Sequence, residues 1–161
     1  MMTRLCCDVL SALKDRTLVT AESCTGGGIG AALTSIPGSS EVYKGGIICY
    51  TNWVKENVLG VDPVLLEQHG AVSAPVAQMM ASGVRSKLHA DVAVSVTGLA
   101  GPGGDEYGNP VGTVFISYCN AQHLISREFH FDGDRESVRQ QAVLSALNLI
   151  LEAENIGKRG V

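Results

Sequence analysis

The sequence contains no hydrophobic run of the roughly 18 to 20 residues needed to cross a bilayer, and its Cys6-Cys7 start lacks the basic flank and long apolar core of a secretory signal. The expectation is a soluble, cytoplasmic protein with no membrane partner. Positive charge is also scarce. With 12 Lys and Arg against 16 Asp and Glu, the formal net charge is −4, which argues against a nucleic-acid partner, because such binders need a basic patch to release phosphate counterions. The cysteines Cys6, Cys7, Cys24, Cys49 and Cys119 form no CxxC pair, and their number is odd. Neither a disulfide framework nor a zinc site is indicated, and most of these thiols are expected to be small core residues. The four histidines, His69, His89, His123 and His130, are too scattered to place two metal ligands on one helix face, so no metal is expected.

What remains is a chain of 161 residues, 45% hydrophobic, without low-complexity tracts or internal repeats. That suits a single globular domain over 1–161 with a substantial core. Leu5, Val9, Ala12 and Leu13 recur at helical spacing, and the β-branched stretch 17–21 that follows reads as a buried strand. Ile29, Ala32, Leu33 and Ile36 form a second helical stripe, closed by Pro37-Gly38-Ser39-Ser40, and 45–50 reads as the next strand. Asn52, Asp62 and Ser73 are the expected caps of three further helices. Strands are expected over 92–97, 111–119 and 124–131, then a helix opened by Gly133-Asp134, with a frayed tail from Asn155. The order suggests a three-layer α/β/α sandwich with a mixed, mostly parallel sheet. The single tryptophan, Trp53, is expected in the core, with a subunit interface or a substrate ring as alternatives. A homodimer or higher homo-oligomer is the expectation for a small soluble enzyme.

The segment most directly tied to chemistry is Thr20-Ala21-Glu22-Ser23-Cys24-Thr25-Gly26-Gly27-Gly28, which joins a strand to a glycine-rich helix start and leaves Ser23 at the junction. Backbone amides at a helix start lack intrahelical partners and favour a phosphate or an oxyanion. The Walker spacing GxxxxGK[ST] is absent, because Ile29 stands where a lysine would be needed, and the dinucleotide spacing GxGxxG is absent too. The glycines alone fit tight helix packing equally well. A nucleophilic serine needs a base, and no histidine lies nearby in sequence. Tyr50-Thr51-Asn52-Trp53-Val54-Lys55 offers a tyrosine and a lysine at a second strand-to-helix turn, where the first turn of a helix would lower the amine's pKa. Cys24 is the rival nucleophile at the same helix start. Thr97-Gly98 and the glycine-rich loop after it offer backbone donors, and Arg135 with Arg139 one turn later suits a phosphate at a helix N-terminus.

Taken together, Ala21-Glu22-Ser23-Cys24-Thr25-Gly26-Gly27, Gly38-Ser39-Ser40, Tyr50-Thr51-Asn52 with Lys55, His69-Gly70-Ala71-Val72-Ser73, Gly98-Leu99-Ala100-Gly101-Pro102, Pro110-Val111-Gly112-Thr113-Val114 and Gly133-Asp134-Arg135 resemble the CinA C-terminal domain family, named after competence- and damage-inducible protein A. The resemblance runs from about Leu5 to Leu151. It implies a three-layer α/β/α fold and a serine-type amidohydrolase that needs no metal or cofactor. The implied substrate is a pyridine nucleotide, nicotinamide mononucleotide, cleaved to nicotinic acid mononucleotide and ammonia. It also implies Ser23 as nucleophile, Lys55 as general base, Tyr50 as a partner in proton transfer and Arg135 as a site arginine. Thr25, Gly26, Gly27, Thr97, Gly98 and Arg139 are the expected substrate-binding positions. Family members often carry an N-terminal domain related to molybdopterin-binding proteins, and this chain resembles the stand-alone form. The alternative expectation is a nucleotide-binding regulatory module without turnover.

Overall fold

A computed structural model describes residues 1–159. The elements in chain order are α1 (Met2–Ala12), β1 (Leu18–Glu22), α2 (Gly28–Thr34), a single 3-10 turn (Ser39–Glu41), β2 (Tyr43–Ile48), α3 (Asn52–Asn57), α4 (Pro63–His69), α5 (Ala74–Lys87), β3 (Val92–Gly98), β4 (Thr113–Cys119), β5 (Leu124–His130) and α6 (Arg135–Arg159). The strands form one sheet in the order β2-β1-β3-β4-β5. The sheet is mixed, but not mostly parallel. β1 pairs in parallel with β2 and β3, whereas β3-β4 and β4-β5 are antiparallel, because neither the long loop from β3 to β4 nor the short hairpin from β4 to β5 contains a helical crossover. The tail is also more ordered than its composition suggests. Instead of fraying at Asn155, α6 continues to Arg159, and near its end the carboxylate of Glu154 accepts from the Tyr118 hydroxyl and pairs with Arg16.

Helices cover both faces of the sheet, so β1, whose two faces are both covered, is buried at every position. On one face α1, α2 and α6 pack Val9, Ile29, Leu33, Ala146 and Leu147 against Val94 and Ile116. On the other, α5 places Val76, Met80 and Val84 over Val19 and Ala93. No described helix is long and apolar enough to cross a membrane. The predicted caps of α4 and α5 lie where expected. Asp62 accepts from the Val64 amide, and Ser73 precedes α5, although its hydroxyl donates to Gly70 O.

This topology positions a site. The chain leaves β1 for α2 on one face and leaves the adjacent β2 for α3, α4 and α5 on the other. Neighbouring parallel strands whose connections depart to opposite faces open a crevice beyond their carboxyl ends, where ligands of open α/β sheets bind. Ser23 follows β1 directly, and the Tyr50–Lys55 segment follows β2.

Candidate active site

Ser23 is anchored as an extension of the sheet, its amide donating to Val96 O of β3 at 3.0 Å. The chain then reverses in a tight turn, closed by the Gly26 amide on Ser23 O at 3.0 Å. Gly26 (φ 59°) and Gly27 (φ 100°) both occupy the left-handed region, which residues with a Cβ enter only at a cost, and this explains the consecutive glycines. The helix start they create is already filled. Glu22, only 2% exposed, accepts from the Ile29 amide at 2.8 Å, the Gly30 amide at 3.0 Å and the Thr25 hydroxyl at 2.7 Å. Its carboxylate supplies the anion that the first turn of α2 favours, so this N-terminus is not a vacant substrate subsite.

The amine of Lys55 reaches the serine from the other side of the crevice. Its Nζ donates to Ser23 Oγ at 2.9 Å and to Cys49 O at 2.7 Å. Lys55 is 2% exposed and has no carboxylate partner among the described residues. Burial penalises the ammonium and pulls its pKa below the usual lysine range, whereas the neighbouring thiols Cys49 and Cys24 pull weakly the other way. The helix cap differs from the expected one. Thr51, not Asn52, precedes α3, its side chain accepting from the Val54 amide at 3.5 Å. Lys55 therefore sits one position deeper in the short helix, and desolvation, the largest cause of its depressed pKa, does what the helix end was expected to do.

A cavity of about 270 Å³ opens onto this pair, lined by Ser23, Cys24, Tyr50, Asn52, Lys55, Ala71, Val72, Thr97, Gly98, Leu99, Ala100 and Arg135. Of the residues expected from sequence, Ser23, Lys55, Tyr50, Thr97, Gly98 and Arg135 are thus brought together. Tyr50 stands at the mouth, more than half exposed. Its hydroxyl accepts from Arg135 Nη2 at 3.0 Å and is not bonded to Ser23 or Lys55, and Arg135 Nη1 donates to Gly101 O at 2.7 Å. Thr97 donates its hydroxyl to Ala71 O at 2.9 Å, so it braces the cavity wall.

Thr25, Gly26, Gly27 and Arg139 are not among the lining residues. The hydroxyl of Thr25 is engaged by Glu22, and the two glycines shape the turn behind the serine. Arg139 is directed to the outer side of that turn, where its Nε donates to Cys24 O at 3.1 Å and its Nη2 to Thr25 O at 3.3 Å. The pairing of Arg135 and Arg139 around one phosphate is therefore corrected: only Arg135 faces the cavity, and Asp134 already occupies the first turn of α6, accepting from the Ser137 amide at 2.9 Å. Trp53 is also corrected. It is 67% exposed on α3, because Lys55 and Val54 take the inward positions of that helix.

Cys24 lines the cavity, but burial pushes its thiol up to about 11, which keeps it protonated at neutral pH. Two groups that hold this arrangement escape sequence reasoning. The Cys49 carbonyl is a backbone group with no residue-type signature. Glu22 did leave a signal, since a carboxylate in an otherwise apolar strand requires donors, and the nearest free donors belong to the helix that follows.

Comparison with known proteins places this geometry among relatives. The sequence profile of the CinA C-terminal domain matches residues 3–153. A CinA-like protein of Thermosynechococcus vestitus is 49% identical over 140 residues, 85% of this chain and 34% of the relative, and one of Mycobacterium marinum is 45% identical over 90% of this chain and 34% of the relative. The chain thus spans about a third of the length of these curated relatives. Among solved structures, a competence-damaged protein (CinA) superfamily protein of Klebsiella pneumoniae superposes with a TM-score of 0.93 at 35% identity, covering 96% of this chain and 98% of the other. A competence/damage-inducible protein of Agrobacterium tumefaciens superposes with a TM-score of 0.90 at 38% identity, covering 96% and 95%.

Proposed function

Given that the chain belongs to the CinA C-terminal domain family, we propose that it is a serine-type amidohydrolase acting on the carboxamide of a pyridine nucleotide, with nicotinamide mononucleotide as substrate. The observation that carries this reading is the buried contact of 2.9 Å between Lys55 Nζ and Ser23 Oγ. A buried lysine held without a counter-charge is a poised base, and a purely structural lysine at this depth would be expected to have a carboxylate beside it.

The chemistry follows from these positions. Neutral Lys55 takes the Ser23 proton as Oγ attacks the carboxamide carbon. The tetrahedral oxyanion is met by backbone amides around the nucleophile turn. Lys55 returns the proton to the departing nitrogen, the C–N bond breaks, and ammonia leaves an acyl ester on Ser23. Water, deprotonated by the same amine, then cleaves the ester and releases the carboxylic acid and free serine. Arg135 at the cavity mouth is the cation left for the 5′-phosphate, and Tyr50, hydrogen-bonded to it, orients that guanidinium. A regulatory module without turnover has no use for a buried lysine against a buried serine, which favours the enzyme.

The test is product analysis. Incubation with nicotinamide mononucleotide should release ammonia and nicotinic acid mononucleotide in equal amounts, without added metal. Intact substrate after prolonged incubation at high enzyme concentration would refute the assignment.

A further inference from the structure

Arg139 lies beside the nucleophile turn, outside the cavity, and bonds only to backbone. It spans the Cys24 and Thr25 carbonyls at 3.1 and 3.3 Å, and a Cβ built on Gly26 would come within 3.4 Å of its Nη2. In a trans peptide the carbonyl of one residue and the amide of the next point to opposite edges of one plane. The guanidinium therefore grips the Cys24–Thr25 plane by its oxygen and leaves the Thr25 amide on the far edge. Among the described residues, neither the Cys24 nor the Thr25 amide is hydrogen-bonded to another residue, whereas the flanking amides are committed, Ser23 to Val96 O and Gly26 to Ser23 O. Two consecutive unspent amides directly after a nucleophile are the donors that acyl-transfer sites use.

We infer that Arg139 is a positioning residue that holds and polarises the turn peptide, so that the Cys24 and Thr25 amides stabilise the oxyanion formed at Ser23. A cation on a peptide oxygen withdraws electron density from that plane and strengthens its N–H as a donor. The same two bonds keep the plane from rotating as charge develops, so the donors do not have to reorganise. Glu22 secures the turn from the helix side and Arg139 from the outside. The arginine acts without touching substrate, and this inference rests on the amidohydrolase reading above.

The experiment compares wild type, Arg139→Met and Arg139→Lys with two probes. Pyridine-3-boronic acid accepts Ser23 Oγ at boron, with the serine proton passing to Lys55, and mimics the tetrahedral anion. Nicotinic acid mononucleotide carries the phosphate and a planar carboxylate but forms no tetrahedral anion. In Arg139→Met, boronate affinity and kcat should fall together by about 10- to 100-fold, a fraction of the loss seen when a whole oxyanion donor is removed. KM and product affinity should stay within about 3-fold, and Arg139→Lys should fall between. Weakened product binding with boronate affinity retained would overturn the inference and make Arg139 a phosphate ligand; unchanged binding of both probes would overturn it and leave Arg139 without a role in either. Should Arg139→Met fail to fold, the ratio of the two affinities in Arg139→Lys decides by the same criterion. If wild type releases no ammonia, the substrate assignment falls alone, and the boronate comparison still decides the role of Arg139.

Discussion

Replacing Lys55 by Met removes the amine while keeping a flexible apolar stem in its place, and it should separate activity from stability. The amine is 2% exposed and donates to Ser23 Oγ and Cys49 O. General bases contribute about 10² to 10⁴ in rate, so kcat should fall by that factor, about 3 to 5 kcal/mol of barrier. Stability responds differently. In the unfolded chain a lysine titrates near ~10.4, and burial holds Lys55 below that in the fold. Between these two values the unfolded state binds a proton that the folded state does not. Unfolding free energy therefore rises with pH across that window, by at most about 1.36 kcal/mol per unit. The contribution is fully present above ~10.4 and is lost as pH falls through the folded-state pKa. Methionine has no such dependence. Denaturant melts of both proteins from neutral pH to pH 10.5 should show the wild type gaining on Lys55→Met through the window and running parallel to it below. In the same buffers, wild-type kcat/KM, which reports the free enzyme, should rise with pH to a midpoint under the usual lysine value. Parallel melts throughout, or a midpoint at an ordinary lysine pKa, would refute the picture of a desolvated base.

Three further outcomes follow from particular contacts. Arg135→Ala should raise KM for nicotinamide mononucleotide by about 10-fold or more, as expected for a lost charge-assisted bond, and leave the phosphate-free riboside unaffected; steady-state kinetics on both substrates checks this. Iodoacetamide at neutral pH should spare activity, because the Cys24 thiol is 6% exposed and pushed up to about 11, and inactivation in step with Cys24 alkylation would return the cysteine as nucleophile. Gly83→Ala should destabilise the domain. Its Cβ would stand 2.1 Å from Leu59 O, an overpacking cost of about 1 to 3 kcal/mol, visible in a thermal melt as a drop of about 2 to 4 °C per kcal/mol.

Much of this architecture was legible in the sequence because the informative patterns are local. The apolar stripes of α1, α2 and α5, the caps Asp62 and Ser73, and the β-branched run of β1 act within a few residues, so periodicity and turn chemistry reveal them. The β4-β5 hairpin is local and legible too, whereas the antiparallel placement of β4 beside β3 and the crossover joining β2 to β3 are decided by long-range packing. Ser23 and Lys55 stand out in sequence because each belongs to a segment that follows a strand, Ser23 in the turn after β1 and Lys55 in the helix after β2, although their meeting depends on β1 and β2 being neighbours. The place of Arg139 is hidden from the sequence for a related reason. Its spacing from Arg135 puts the two on adjacent turns of α6, but spacing does not say that one guanidinium meets a cavity and the other the back of a loop 114 residues away. The exposure of Trp53 is hidden too, because hydrophobicity alone does not report which face of a six-residue helix is inward.

The central claim is that Ser23, activated by Lys55, forms an acyl ester with the carboxamide substrate. Acid-quenching the enzyme within its first turnovers on nicotinamide mononucleotide and sequencing its peptides by mass spectrometry reads that bond directly. The account predicts the acyl mass of the substrate on the peptide containing Ser23, absent in Ser23→Ala and accumulating slowly in Lys55→Met. Ammonia release by Ser23→Ala at the wild-type rate, with no adduct on Ser23 of the wild type, would contradict it.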